Sequence, residues 1–214
     1  MKYQVIRSGE SRSFSDDHPF IAGAVETGEV AIIIGANAGA AFAKFKDRDR
    51  KIAILIELGT ECLGAHTGEN RGLEGSNALG FARFRLGSSD PSGLVELVRQ
   101  PRTLETAIAA ARQVFEGAGL QVAVCGDFPG RILDRLVRPY YNAALTRLDE
   151  GLASAADLDT TLKLGLGYPE GPIELLERTG LGHHHDVTQA LYEACGDPAY
   201  APARRARVAK QRQE

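Results

Sequence analysis

A small-residue turn, Gly35 to Ala41 (GANAGAA), lies directly after the β-branched run Val30 to Ile34, where a phosphate-binding turn would be sought. A dinucleotide site needs a strand, a G-x-G-x-x-G turn whose backbone approaches a pyrophosphate, a helix N-terminus beyond it, and an acid about 20 residues further on for the ribose. The chain holds no G-x-G-x-x-G; its nearest counterpart is the G-x-x-x-G of this turn, with Glu57 ending the next apolar run. Gly35, Asn37 and Gly39 are therefore the candidate cofactor-binding residues. The competing reading, a plain tight turn between strand and helix, is favoured because small residues are common there without any ligand.

His183, His184, His185 and Asp186 are adjacent. Successive helical residues point about 100° apart, so three neighbouring imidazoles do not converge on one ion as an i, i+4 pair does. A polar first turn of a helix, with Asp186 favouring the dipole, is expected instead, and no metal is. Cys62, Cys125 and Cys195 are odd in number and lack ligand spacing, which predicts reduced, structural thiols.

The 214 residues, 43% hydrophobic and 25% charged with a formal net charge of −3, suit a globular chain of one large or two modest domains. Nothing in this balance favours nucleic acid, and the basic stretch Arg204 to Arg212 reads as a solvated helix end. No run of eighteen apolar residues and no leader-like start predict a cytoplasmic protein without a membrane partner.

The elements that would position these groups alternate. Tyr3 and Val5 mark a short strand, followed by turn-rich sequence with His18 in a surface loop; VAIIIG is a strand buried on both faces, and a helix with Phe42 and Phe45 follows its turn. KIAILIELG from Lys51, ALGFARFRLG after a Gly-rich loop, Gly93 to Arg99, and LQVAVCG are further strands. Thr103 is expected to cap a helix from about Leu104 to Gly117. Strands and helices on short connections predict a parallel or mostly parallel α/β layer.

From Gly126 the pattern becomes helical. Asp127 is expected to cap a long amphipathic helix with Pro129 in its first turn, bent at Pro139 and closed by Gly151. Ser154 and Asp157 open a short helix that Gly165 stops; Pro172 opens another, with Glu174 in its first turn, which Gly180 ends; a last one runs from about His184 to Ala194.

This stretch resembles the C-terminal helical domain of the 3-hydroxyacyl-CoA dehydrogenases. The resemblance rests on Asp127 to Gly130 (DFPG), Arg135-Leu136 with Pro139, Tyr140 and Asn142, Gly151 with Asp157 and Asp159, the loop KLGLGYPEGP from Lys163 to Pro172, and Glu174-Leu175 with Gly180-Leu181. The strands before it look like the later half of that family's dinucleotide-binding domain, and the residues before Val30 are fewer than a βαβαβ half needs. The family implies NAD as cofactor, an acyl-CoA substrate and a homodimer formed through the helical domain.

It also implies a catalytic histidine, a glutamate that orients it, and a serine and an asparagine that hold substrate oxygens. Glu96 matches the glutamate, Thr60 is nearest to the serine, and Asp134 stands at the asparagine. The histidine belongs in GFARFRLG, which has none; Ala82, Arg83 or Phe84 takes its place. His66 would replace it only if its loop folds over a cleft. Glu96 and Asp134 are expected to be ion-paired, with Arg83, Arg85, Arg131 or Arg135 as partners. Family members continue into a Gly/Lys-rich end, whereas this sequence stops at AKQRQE, which would leave an acyl-CoA groove incomplete.

The sequence thus predicts an α/β fold followed by an all-α one: a truncated Rossmann-like sheet over 1–126 without the G-x-G-x-x-G unit, and a helical dimerisation domain over 127–214. The expected function is an acyl-CoA-binding or accessory homodimer that needs no cofactor. The alternatives are an active NAD-dependent 3-hydroxyacyl-CoA dehydrogenase and a structural partner subunit of a catalytic chain.

Overall fold

The computed structural model describes residues 1–212, so Gln213 and Glu214 of the expected AKQRQE end lie outside it. The chain forms two compact units, one of residues Met1–Arg85 and Pro91–Ile132, the other of Leu86–Asp90 and the chain from Leu133 onward.

The first unit is a six-stranded sheet in the order β1 (Tyr3–Arg7), β2 (Val30–Ile34), β3 (Ala53–Glu57), β4 (Ala78–Arg83), β5 (Leu94–Arg99), β6 (Gln121–Gly126). All neighbours are parallel except β4 and β5, which pair antiparallel with Ala82 opposite Glu96. The continuous apolar runs follow from burial on both faces. On one face Ile32, Leu55, Phe81 and Leu97 meet α4 (Glu105–Gly117) through Ala111 and Phe115; on the other Ile33, Ile54 and Ile56 meet α2 (Ala38–Lys44) through Phe42.

The first thirty residues are better ordered than their turn-rich sequence implies. β1 is a full parallel partner of β2, and the crossover between them carries a one-turn helix α1 (Pro19–Ala22) that buries Phe20. His18 is not a plain loop residue: its imidazole Nδ1 accepts the Phe20 N–H at 3.1 Å and caps that turn.

Two expected caps act elsewhere. Thr103 does not cap α4; its hydroxyl accepts the Gln100 N–H at 2.9 Å, and Leu104 is the residue before the helix. Asp127 does not cap the long helix either, which begins only at Leu133. Its carboxylate accepts the N–H groups of Leu63 (2.6 Å) and Gly64 (2.7 Å), at the start of a helix α3 (Gly64–Thr67) inside the Gly-rich loop. Tertiary reach outcompetes the local cap because a carboxylate gains two charge-assisted bonds at once.

The second unit is helical: α5 (Leu133–Asp149), α6 (Ala155–Leu166), α7 (Pro172–Thr179), α8 (Leu181–Cys195) and α9 (Arg204–Arg212). α5 runs through Pro139 without ending. Pro139 cannot bond the Arg135 carbonyl, and the buried Tyr200 hydroxyl donates to that oxygen instead, at 3.4 Å. Ser154 caps α6 as expected, accepting the Asp157 N–H at 3.1 Å, but the helix passes Gly165 and stops at Gly167, whose φ of 71° is the left-handed one. Asp159 on α6 accepts the N–H groups of Ile173 (2.8 Å) and Glu174 (3.0 Å) at the start of α7. A side chain at Gly171 would collide with Asp159, so the second glycine of the GYPEGP loop is fixed by this cap.

Replacing Asp127 with Ala removes both bonds at the start of α3. The expected cost is about 2 kcal/mol in urea unfolding, with Asp127→Asn losing about half of that.

Candidate functional site

The Gly35 turn lies at the C-terminal ends of parallel strands, where open α/β sheets hold ligands. The N–H groups of Gly35 to Ala38 are directed to the protein itself. Gly35 N–H goes to Glu57 Oε2 (2.6 Å), Ala36 N–H to the Glu10 carbonyl (3.1 Å), Asn37 N–H to the Ser8 carbonyl (2.9 Å) and Ala38 N–H to the Gly35 carbonyl (2.9 Å). Gly35 has φ 106°, and a side chain there would strike the Ser8–Gly9 backbone, so this glycine serves the close approach of the loop after β1. Gly39 is covered by the His66 ring, which leaves no room for a Cβ. Asn37 is the exposed residue preceding α2 and its side chain does not cap that helix. In the turn that the sequence offered as a phosphate cradle, the Gly35 to Ala38 backbone and the face of Gly39 are thus in contact with other parts of the protein.

His66 itself sits on α3 with Nε2 3.3 Å from Glu61 Oε1. It lines a cavity of about 240 Å³ together with Gly35, Gly39 and the carboxylates Glu10, Glu57 and Glu61, against the guanidinium of Arg12.

Glu96, on β5, is 1% exposed and forms an ion pair with the equally buried Arg131, Nε to Oε2 at 3.3 Å. Its other oxygen accepts the Ile132 N–H at 2.8 Å. Arg131 also donates to the Gly59 carbonyl at 2.7 Å and is held at φ 54°, a left-handed conformation that a non-glycine residue adopts only when its contacts dictate it. Thr60 is tied in by its carbonyl, which accepts the Gly130 N–H at 3.0 Å. These bonds hold Asp127 to Ile132 with the sheet unit, past the division expected at 126.

Of the three residues in the place of the implied histidine, Ala82 is the one opposite Glu96 in the ladder. Arg83 is structural: it donates to the carbonyls of Ser92 (2.8 Å), Ser13 (2.7 Å) and Pro91 (3.1 Å) and lies over the Phe14 ring.

Asp134 belongs to a buried chain of bonds in the helical unit. Arg138 Nε donates to its Oδ1 at 2.7 Å, and Arg138 Nη1 lies 3.1 Å from His184 Nδ1, whose Nε2 lies 3.0 Å from Asn142 Oδ1. A guanidinium only donates, so Nδ1 accepts and Nε2 carries the proton. Asn142 completes the chain by donating to the carbonyls of Ala199 and Ala201, both at 3.1 Å. His184 is therefore not part of a polar first turn. α8 starts three residues earlier than expected, which turns His184 into the core, 1% exposed, and moves Asp186 beyond the first turn, where Lys210 pairs with it at 2.7 Å. Burial, then the charges of Arg138 and His185, push the His184 pKa down to about 3.

Glu96–Arg131 matches one of the pairings named from the sequence; Asp134 takes Arg138, which was not named although it stands at i+4, a spacing that favours such pairs. Ser11, Ser13 and His184 gave no local signal, because their partners are distant in sequence.

Among the described residues no group of three or more His, Cys, Asp or Glu side chains is placed to hold a metal ion, and no helix is long and apolar enough to cross a membrane.

Residues 130–213 match the model of the 3-hydroxyacyl-CoA dehydrogenase C-terminal domain. The helical unit belongs to this family. Curated relatives of this dehydrogenase family include a 3-hydroxybutyryl-CoA dehydrogenase of Bradyrhizobium diazoefficiens, 37% identical over 109 residues, which cover 51% of this chain and 37% of the relative. The mitochondrial hydroxyacyl-coenzyme A dehydrogenase of Homo sapiens is 40% identical over 111 residues, 51% of this chain and 35% of the relative. The chain thus spans little more than a third of the length of either. Among solved structures, the (S)-3-hydroxybutyryl-CoA dehydrogenase of Ralstonia eutropha superposes with a TM-score of 0.71 at 25% identity, covering 86% of this chain and 66% of that one. The sheet followed by helices is therefore the dehydrogenase architecture in both parts.

The low His184 pKa has a consequence for stability. The folded protein keeps this imidazole neutral, while the unfolded chain takes up a proton near pH 6.5, so the contribution of His184 is complete above pH 6.5 and is lost as pH falls toward about 3. Each pKa unit is worth about 1.4 kcal/mol. His184→Gln, which keeps an acceptor and a donor, is expected to flatten the fall in unfolding free energy between pH 6.5 and pH 4 relative to the native chain.

Proposed function

We propose that this chain is an accessory or acyl-CoA-binding member of the 3-hydroxyacyl-CoA dehydrogenase family that does not oxidise or reduce substrate with NAD by itself. One observation carries the reading: the two carboxylates at the family's glutamate and asparagine positions, Glu96 and Asp134, are buried and paired within the protein. The glutamate that should orient a histidine is held by Arg131 and the Ile132 N–H, with Ala82 opposite it. A carboxylate neutralised this way adds little charge to a neighbouring imidazole, and none stands opposite Glu96 in the ladder; the His66 imidazole lies with Glu61 at the Gly35 turn instead. At the Gly35 turn the successive N–H groups of Gly35 to Ala38 already have protein acceptors, which leaves a pyrophosphate fewer donors there.

The helical unit supports the binding and dimer parts of the proposal. It exposes Leu136, Leu152, Leu164 and Leu166, each more than 60% accessible, on a domain whose relatives are named as dehydrogenases of CoA thioesters. Such apolar exposure favours a partner surface, here a second copy of the chain. The three cysteines are free thiols, which suits a reducing compartment such as the cytoplasm.

Calorimetric titration of the purified chain with acetoacetyl-CoA and with NADH separates the possibilities. Binding of the thioester alone is the expected result. Consumption of NADH on acetoacetyl-CoA would establish an active dehydrogenase instead, and binding of neither would leave a structural partner subunit.

A further inference from the structure

Two segments far apart in sequence, the loop after β1 and the turn after β2, close on one carboxylate at the end of β3. Glu57, the last residue of β3, is 6% exposed. Its Oε1 accepts the Ser13 N–H at 2.8 Å and the Ser11 hydroxyl at 2.9 Å, while Oε2 accepts the Gly35 N–H at 2.6 Å. Ser11 Oγ in turn accepts the N–H groups of Ser13 (3.2 Å) and Phe14 (3.0 Å), so the loop after β1 is wrapped around the carboxylate.

Converging N–H and O–H donors at the C-terminal ends of parallel strands form an anion nest, the kind of feature that receives phosphate groups in this class of fold. A dinucleotide does not fit this one. Its donors are bonded to Glu57, and the adjoining cavity is walled by three carboxylates, Glu10, Glu57 and Glu61, against the one guanidinium of Arg12, the wrong sign for a pyrophosphate.

We infer that Glu57 is the built-in occupant of an anion nest at the ends of β1, β2 and β3, and that taking its carboxylate away creates a binding site for small oxyanions such as acetate or inorganic phosphate. This deepens the reading that the chain takes no dinucleotide, and names the group that fills the place. It also explains why an acid about 20 residues beyond Gly35, where a ribose ligand is expected, turns inward.

Thermal unfolding of the full chain at constant ionic strength tests the nest, with chloride exchanged for acetate or phosphate. Native protein should shift only by the general stabilising effect that acetate and phosphate have on a folded chain relative to chloride, and the response of each variant is read beyond that baseline. Glu57→Ala should melt lower in chloride and recover by about 3 °C in 100 mM acetate or phosphate, the size expected for a weak site near saturation. Glu57→Gln, whose amide still fills the space, should be destabilised without such recovery. If Glu57→Ala does not fold in chloride, its refolding in acetate or phosphate becomes the readout. Equal response of native and variant protein, or no response of the variant to any anion, overturns the inference. Turnover with NADH would defeat the functional reading alone, since the rescue measurement does not involve the coenzyme.

Discussion

A carboxylate taken out of water has to be matched by donors, and in this protein the matching groups come from the chain itself. Glu57 takes the Gly35 and Ser13 N–H groups and the Ser11 hydroxyl; Glu96 takes Arg131 and the Ile132 N–H; Asp127 takes Leu63 and Gly64; Asp134 takes Arg138; Asp159 takes Ile173 and Glu174. Glu57, Glu96, Asp127 and Asp159 tie together segments that hydrophobic burial alone would leave free to slide, and Asp134 holds Arg138 of its own helix beside His184. In the sheet unit they fix the loops at the strand ends, and in the helical unit they set where α7 begins and how α5 and α8 meet.

The glycines follow from the same requirement. Gly35 lets the loop after β1 reach the backbone beside Glu57, and Gly171 lets Asp159 reach the start of α7. Neither position is flexible for its own sake: both are places where a backbone and a carboxylate must come close. The result is a family fold in which polar groups at the strand ends serve cohesion, which is the physical basis for proposing a binding or accessory role over an autonomous oxidoreductase.

Much of the fold was legible because its signals are local and redundant. The five buried residues of Val30–Ile34, the alternation of strands and helices, Ser154 before Asp157, and Pro172 before Glu174 each specify an element within a few residues. The errors fall where a side chain had two uses. Asp127 and Thr103 have cap-forming side chains but bond groups brought near by tertiary structure, and Gly165 continues a helix that Gly167 stops. Around the candidate site the sequence showed which types were present and which was lacking, and Arg131 was among the four arginines offered as partners of Glu96 and Asp134. It did not show that Ser11, Ser13 and Glu57 meet, because those contacts span more than forty residues and depend on β1 pairing with β2. His184 was misplaced for a related reason: starting α8 at Leu181 instead of about His184 changes which face of the helix turns inward.

The central claim is that the donors at the strand ends are occupied in the free protein. Amide hydrogen exchange at Gly35, Ser13 and Ile132, whose N–H groups go to Glu57 and Glu96, tests it most directly. The account predicts protection comparable to the central strands β2 and β3 without any ligand, and no change on adding NADH. Exchange at the rate of solvated loops, with protection appearing only when coenzyme is added, would contradict it.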